Sequence, residues 1–445
     1  MIALDDIRAC LEGDVPSLIA TCARDGTPNL TYASQVHYVD GTHVALSFQF
    51  FNKTRENILA HPYATALVVH PDTAAAYELQ IEYLRTESQG PLFESMKARL
   101  AGIASHTGMA DVFLLRGADV YRVRGIEQQP GRVLPLPPLR HNLMPALRST
   151  CEKLAGCGDL DTLLDTALES LEAQFGVRHA AILVLDCGGQ RLYTVASRGY
   201  GESGVGSEIA IGAGVIGVCA LHRTPIRISH LTSEYAYHRA IRDTAAQTGL
   251  APRLQAEIPF PGLREPHSQL AVPILAAGRL QGVLYLESPQ DRAFGYELED
   301  ALAALGAQLG FAMHVLQQSQ EERSEAPRST APPAPAGAAI RIRHYAENDS
   351  VFLDEDYLIK GVAGAIFCKL VRDYLQYGRT EFSNRELRLD PSIPLPDVSD
   401  NLEARLVLLA RRLSERSTAI ALEKTGRGRF RLRVSRPLEI AAVPG

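Results

Sequence analysis

The sequence has no CxxC pair and no Cys/His ligand spacing. Its seven cysteines, Cys10, Cys22, Cys151, Cys157, Cys187, Cys219 and Cys368, are scattered along the chain. An odd, dispersed set argues against a disulfide framework or a zinc site and for reduced core thiols. No apolar run reaches the roughly 20 residues a membrane-spanning helix needs. The longest strongly apolar segment, Leu302–Leu316, opens from an acidic turn at Glu297–Asp300 and reads as a helix in water. Met1–Asp6 carries two aspartates where a secretory signal would have a basic patch and an apolar run, so a cytoplasmic protein is expected. There is no repeat at solenoid or propeller spacing. Nucleophile–base constellations, carboxylate pairs at catalytic spacing and metal motifs are likewise missing, and any catalysis would rest on a cofactor's own chemistry.

What remains is a chain of 445 residues, which at ordinary domain sizes divides into about three cores. Two proline-rich stretches mark the divisions. Pro130–Pro138 separates a strand-like from a helix-like segment, and Glu321–Ala339, charged and then Pro/Ala-rich, reads as an extended linker. The expected domains are Met1–Gln129, Asn142–Gln320 and Ile340–Gly445, the whole being multidomain α+β. A net charge of −6 argues against a surface that coats nucleic acid, but from Arg341 onward the balance turns mildly positive, with arginines gathered in Arg405–Arg416 and Arg427–Arg436.

In the first domain a short helix near Asp5–Leu11 precedes strands predicted at Ser17–Cys22, Asn29–Tyr38 and His43–Phe48. Asp-Gly turns at Asp25-Gly26 and Asp40-Gly41 join them into a meander that tends to curl into a barrel. Phe51–Pro62 then has a helical pattern and Ala64–His70 an apolar strand pattern. A phosphate wants a cation, a hydroxyl and free N–H groups at a helix start, and Asn52-Lys53-Thr54-Arg55 supplies them; the same residues also make an ordinary capped, solvated helix start. This order resembles the pyridoxamine 5'-phosphate oxidase-like, FMN-binding split barrel over roughly the first 125 residues. The resemblance implies FMN, with Asn52, Lys53 and Thr54 at the phosphate, Ser47, Phe48 and Gln49 along the isoalloxazine edge, and Ser34 and Gln35 approaching from the neighbouring strand. In that family flavin lies across a dimer interface, where Tyr83, Met96 and Lys97 would complete the site. Some such barrels take haem instead, a variant that His37, His43, His61, His70 and His106 leave open.

In the second domain a helix bearing Leu147, Cys151 and Leu154 leads to a helix at Leu160–Phe175 and strands at Ala180–Leu185 and Leu192–Ser197. Gly212-x-Gly214-x-x-Gly217 matches the dinucleotide fingerprint in form only. The next strand, Pro225–Ser229, begins eight residues past Gly217, too soon for a crossover helix and a second parallel strand. The Gly-rich turn, the short helix Val215–His222, the Pro-initiated strand, the paired strands Gln269–Leu275 and Leu280–Glu287 and the helix Phe294–Leu316 together resemble the GAF domain, an antiparallel sheet with flanking helices. The resemblance implies a small-ligand pocket roofed by Thr232–Leu263, where Tyr235, Tyr237, His238 and Phe260 supply rings and Arg239 or Arg242 a charge, suited to a small planar or anionic effector. Many GAF domains bind nothing and only dimerise; the cyclic-nucleotide pattern is absent, and Cys219 is not in a bilin-attachment context. Along the last helix Leu298, Leu302, Leu305, Leu309, Ala312 and Leu316 recur at spacings of four and three, which fits a homodimeric coiled-coil seam and equally a stripe packed on the sheet.

The third domain shows a short strand at Val351–Leu353, a helix at Gly361–Tyr377, a capped helix start at Ser383–Leu387, a helix at Asp400–Glu415 and a hairpin at Ala419–Val434. This succession resembles the winged helix of response-regulator transcription factors over roughly residues 350–436. The resemblance implies that Arg405, Arg411, Arg412 and Arg416 enter a DNA major groove while Arg427 and Arg429 on the wing reach phosphates. Leu402, Leu406, Leu409 and Leu413 form the inner stripe, Glu403 and Glu415 are placed to pair the arginines, and a winged helix used for protein contact fits the same pattern. No receiver domain is present, so control would come from the barrel or the GAF domain. The expected function is a flavin- or ligand-responsive transcriptional regulator; the alternative is an FMN-dependent oxidoreductase with regulatory domains.

Overall fold

Alternation of apolar and polar residues builds the first domain. In the computed structural model, which describes residues 2–11, 15, 17–33, 36–48, 53–90, 92–93, 96–97, 115–136, 142–186, 188–228, 258–319, 337–393, 402–426 and 428–441, this domain is one antiparallel sheet. Its strands are β1 (Ser17–Cys22), β2 (Pro28–Ala33), β3 (Val36–Asp40), β4 (His43–Phe48), β5 (Tyr63–Val69), β6 (Ala76–Glu87) and β7 (Gly117–Gln128), in the order β2-β1-β5-β6-β7-β4-β3. Helix α1 (Lys53–Ala60) connects β4 to β5. Inward side chains from both halves of the sheet, among them Ile19, Val36, Val44, Val68, Leu79 and Tyr121, close around one core with Ile58 of α1. The single strand expected at Asn29–Tyr38 is instead two, β2 and β3, at opposite edges of the sheet. A period-two pattern continues unchanged when a chain leaves one edge and joins another, so it did not carry the break.

The central domain pairs β8 (His179–Leu185), β9 (Arg191–Arg198), β10 (Glu208–Ala210), β11 (Ile226–Ile228), β12 (Ser268–Ala276) and β13 (Arg279–Ser288) in the antiparallel order β10-β9-β8-β13-β12-β11. Ala277 (φ +47°) and Gly278 (φ +74°) make the tight β12–β13 turn, whose central residues must both be left-handed. One face of the sheet carries α2 (Leu143–Ala155), α3 (Leu160–Phe175) and α5 (Tyr296–Ser319). The other carries the short α4 (Gly214–His222). Helix α3 begins at Asp159, whose carboxylate accepts from the Thr162 N–H, and ends at Gly176 in the left-handed conformation. Along α5 the stripe Leu298, Leu302, Leu305, Leu309 and Leu316 is buried in the domain core with Met313, not presented as a seam. Two glycines explain the close approach. A Cβ on Gly306 or Gly310 would lie 2.9 Å from the Pro273 carbonyl oxygen or 2.3 Å from that of Leu275 on β12. The outer face of α5 leaves Phe311 and Val315 exposed.

The C-terminal domain opens with a four-stranded sheet, β16 (Asp356–Ile359), β15 (Ser350–Leu353), β14 (Ile340–Tyr345) and the parallel β20 (Leu438–Ala441), in that order. Helix α6 (Gly361–Tyr377) stops at left-handed Gly378. Then come β17 (Glu381–Ser383), α7 (Asn384–Leu389), which starts with a Ser383/Glu386 capping box, and α8 (Leu402–Arg416). The hairpin β18 (Ile420–Gly426) and β19 (Arg429–Val434) joins β17 in a second, three-stranded sheet. Residues 320–336, where the linker is expected, lie outside the described residues. Among the described residues no helix is long and apolar enough to cross a membrane.

Candidate functional site

In the first domain, Lys53 opens α1 in an exposed position and Thr54 follows half-buried. The Asn29 side-chain amide donates to the Thr54 hydroxyl at 2.9 Å, and the Asn57 amide to Thr21 at 3.1 Å, so this helix start is braced against β1 and β2. Arg55 turns away from it. Its guanidinium bonds both oxygens of Asp119 and, at 3.1 Å, the Thr86 hydroxyl, linking α1 to β6 and β7. Ser47 sits on β4 opposite Ala118 of β7. Ser34, Gln35, Gln49 and Asn52 lie outside the described residues, as does the side chain of Phe48. Of the histidines considered for haem, His43 bonds Asp40, His61 packs edge-on against Tyr63, and His70 accepts from the Asp72 and Thr73 N–H groups. No cluster of His, Cys, Asp and Glu able to hold a metal ion occurs among the described residues.

In the central domain, Tyr235, Tyr237, His238, Arg239 and Arg242 lie outside the described residues. The face of the sheet that carries α4 holds a polar cluster that the sequence reading missed. Residues 283, 285 and 287 of β13 share one face by strand alternation, and Gln269 of β12 stands directly across from Glu287. The Glu287 carboxylate, on a residue only 4 % exposed, accepts from the Leu263 N–H at 2.7 Å, the Tyr285 hydroxyl at 2.7 Å and the Gln269 amide at 3.3 Å. Phe260 packs edge-on against Tyr285. Burial, and then the neighbouring Glu287 charge, suppress ionisation of the Tyr200 phenol, while burial and Arg178 push the His179 imidazole below its usual range. A cavity of about 320 Å³, lined in part by Arg178, His179, Glu287 and Gln290, opens at this end of the sheet. Glu287 and Ser288 follow the largely apolar run Val283–Leu286 of β13, and that switch in polarity was the available signal.

The arginines of α8 do not form an open surface. Arg405 is 6 % exposed and lies over the Tyr193 ring of β9, 4.6 Å from its centroid. Arg411 reaches Asp161 at 2.6 Å and Asp165 at 2.7 Å, both on α3. Arg412, 3 % exposed, donates to the carbonyls of Leu358 and Tyr357 and pairs with Glu415 at 2.9 Å within its own domain; burial lowers its pKa. Arg416 is exposed, Arg429 half-buried on β19, and Arg427 outside the described residues. The expectation that Arg405, Arg411, Arg412 and Arg416 share an outward face is therefore corrected. The central domain covers Arg405 and Arg411, and Arg412 braces α8 against β16. Ala404 and Val407 of α8 join the central core, and Val205 joins the C-terminal one, so the boundary is packed as well as charged. Lys424–Asp159 at 3.7 Å, Lys360–Glu208 at 3.2 Å and a Ser203–Glu415 hydrogen bond complete it.

The central domain is thus a six-stranded antiparallel sheet with helices on both faces and a buried polar cluster on one. Residues 157–314 match the family model described as a GAF domain, and this part of the chain is a GAF domain. No curated protein matches the chain. Among solved structures it is similar to the GAF domain of an Acinetobacter phosphoenolpyruvate-protein phosphotransferase, with 21 % identity and a TM-score of 0.30, over 38 % of this chain and 90 % of that one. It is also similar to an FMN-binding protein from Syntrophomonas wolfei subsp. wolfei, with 16 % identity and a TM-score of 0.24, over 31 % and 88 %. A third is the free methionine-R-sulfoxide reductase from Neisseria meningitidis in complex with its substrate, with 16 % identity and a TM-score of 0.31, over 41 % and 99 %.

Proposed function

We propose that the chain is a cytoplasmic, ligand-responsive signalling protein whose C-terminal domain is a winged helix that binds DNA. The observation that carries this reading is the seating of α8 directly on α3. A shift of the GAF sheet helices is felt by the helix that would read DNA without passing through the linker. The order of a leading strand group, α6, α7, α8 and a terminal hairpin supports the winged helix, and the β18–β19 hairpin supplies Lys424, Arg429, Arg431 and Arg433 for phosphates. A small molecule entering the cavity at the end of the GAF sheet would meet Glu287 together with Arg178, His179 and Gln290 of its lining. The barrel is a second input. Lys53 and Thr54 at the start of α1, an exposed cation beside a hydroxyl at a helix N-terminus, suit the FMN phosphate, and bound flavin would supply one- or two-electron redox chemistry. A homodimer would cover Met144 of α2 and Phe311 and Val315 of α5, all exposed on one copy.

The test is a titration of the purified full chain onto a labelled duplex at 50 and 200 mM salt. Phosphate contacts predict an affinity that falls steeply with salt, with a log–log slope of about −0.9 per contact. Arg429→Ala/Arg431→Ala/Arg433→Ala should flatten that slope. Absence of binding at the lower salt overturns the DNA reading. A colourless protein that ignores added FMN overturns the flavin input.

A further inference from the structure

Of the residues that would meet a nucleic acid backbone, Arg411, Lys424, Arg431 and Arg433 already have carboxylate partners. Asp161 and Asp165 stand four apart on the first turns of α3, on one side of the helix, and both reach Arg411. Asp159, which caps the same helix, lies 3.7 Å from Lys424 of the hairpin. Three carboxylates within seven residues thus face one cation from α8 and one from β18, the latter also paired with Glu403 of α8 at 3.5 Å.

We infer that the acidic start of α3 is an internal stand-in for the DNA backbone, so that the α8 face engages either the GAF domain or nucleic acid and never both. The inference rests on the DNA-binding reading above. Three observations carry it. The contact is specific, because Arg411 forks across two carboxylates, while its own side chain is only 20 % exposed. It is reversible, because the Asp161 and Asp165 side chains are 56 % and 57 % exposed, and Asp161 sits in the first turn of α3, where the helix dipole favours a carboxylate even without a cation. It is also exclusive. Arg405 on Tyr193 and the apolar Ala404 and Val407 are covered by the same docking, so α8 cannot present this face to a groove without leaving the GAF domain. Ligand occupancy on the far side of the sheet would then act by moving α3 relative to α8.

The test uses the full chain. Asp161→Asn/Asp165→Asn keeps the shape of both side chains and removes the charge that holds Arg411. With a labelled duplex of arbitrary sequence at 50 mM salt, the variant should bind about tenfold more tightly than the natural chain, the equivalent of two surface ion pairs no longer competing. Its salt slope should be steeper by about one, for the one cation released. Adding Arg411→Ala to the variant should cancel both gains. Far-UV circular dichroism should stay that of the natural chain, which separates release of α8 from unfolding. If natural chain and variant bind with the same affinity and slope, the stand-in is wrong and DNA binding stands. If neither binds, DNA binding itself is wrong and the inference falls with it.

Discussion

The buried ion pair between Arg227 and Glu299 should be the most sensitive point of the GAF domain. Strand β11 has three residues and, among the described residues, lies at the edge of its sheet and pairs only with β12. Its middle residue, Arg227, sends Nε to Glu299 of α5 at 2.8 Å and Nη1 to the Phe294 carbonyl at 3.2 Å, and both side chains are under 10 % exposed. Surface screening is therefore weak, and Glu299→Ala leaves a desolvated guanidinium short of its counter-charge. Breaking one side of such a pair costs about 3 kcal/mol, which for a domain of this size is roughly 6–12 °C in the melting transition. Replacing both partners, as Arg227→Met/Glu299→Leu, removes the unpaired charge along with the attraction and should restore most of the loss. Differential scanning calorimetry of the full chain gives the GAF transition for each variant. A melting shift of the single variant under about 1 °C, or a double variant no better than the single one, would refute the reasoning, since the pair would then contribute no more than a surface bridge.

Two further outcomes follow from local geometry. Asp159→Ala removes the cap of α3 and should cost about 1 kcal/mol at neutral pH. Burial alone would raise the Asp159 pKa, but the Thr162 N–H and Lys424 hold it below the usual value. Its contribution is therefore present above the unfolded pKa of about 3.9 and lost as pH falls through the lower folded value; urea melts of the two proteins should converge toward pH 3 and stay apart at pH 6. In Gly282→Ala the added Cβ would sit 2.0 Å from the Leu183 carbonyl oxygen on the paired strand β8, so the central strands must part. A loss above about 3 kcal/mol or an insoluble product is expected, and a melting temperature equal to that of the natural chain would contradict it.

Much of the fold was legible because it rests on local signals. The Asp25-Gly26 and Asp40-Gly41 turns and the capped helix start at Ser383 are all read from a few neighbouring residues. What failed depends on distant ones. The stripe on α5 has the spacing of a seam and of a core helix alike, and only the glycines at 306 and 310, meeting β12, decide between them. Helical spacing placed the α8 arginines correctly along the helix but did not reveal Asp161 and Asp165, some 250 positions earlier, as the partners of Arg411. Glu287 gains its meaning from Leu263 and Gln269, which a single strand pattern does not connect.

The central claim, that α8 leaves α3 when the protein takes up nucleic acid, is tested most directly by hydrogen exchange on the full chain with and without a saturating duplex. The account predicts faster exchange over Leu160–Phe175 as its cover departs and slower exchange over the β18–β19 hairpin as phosphates meet it. Bound duplex with unchanged exchange along Leu160–Phe175 would contradict it.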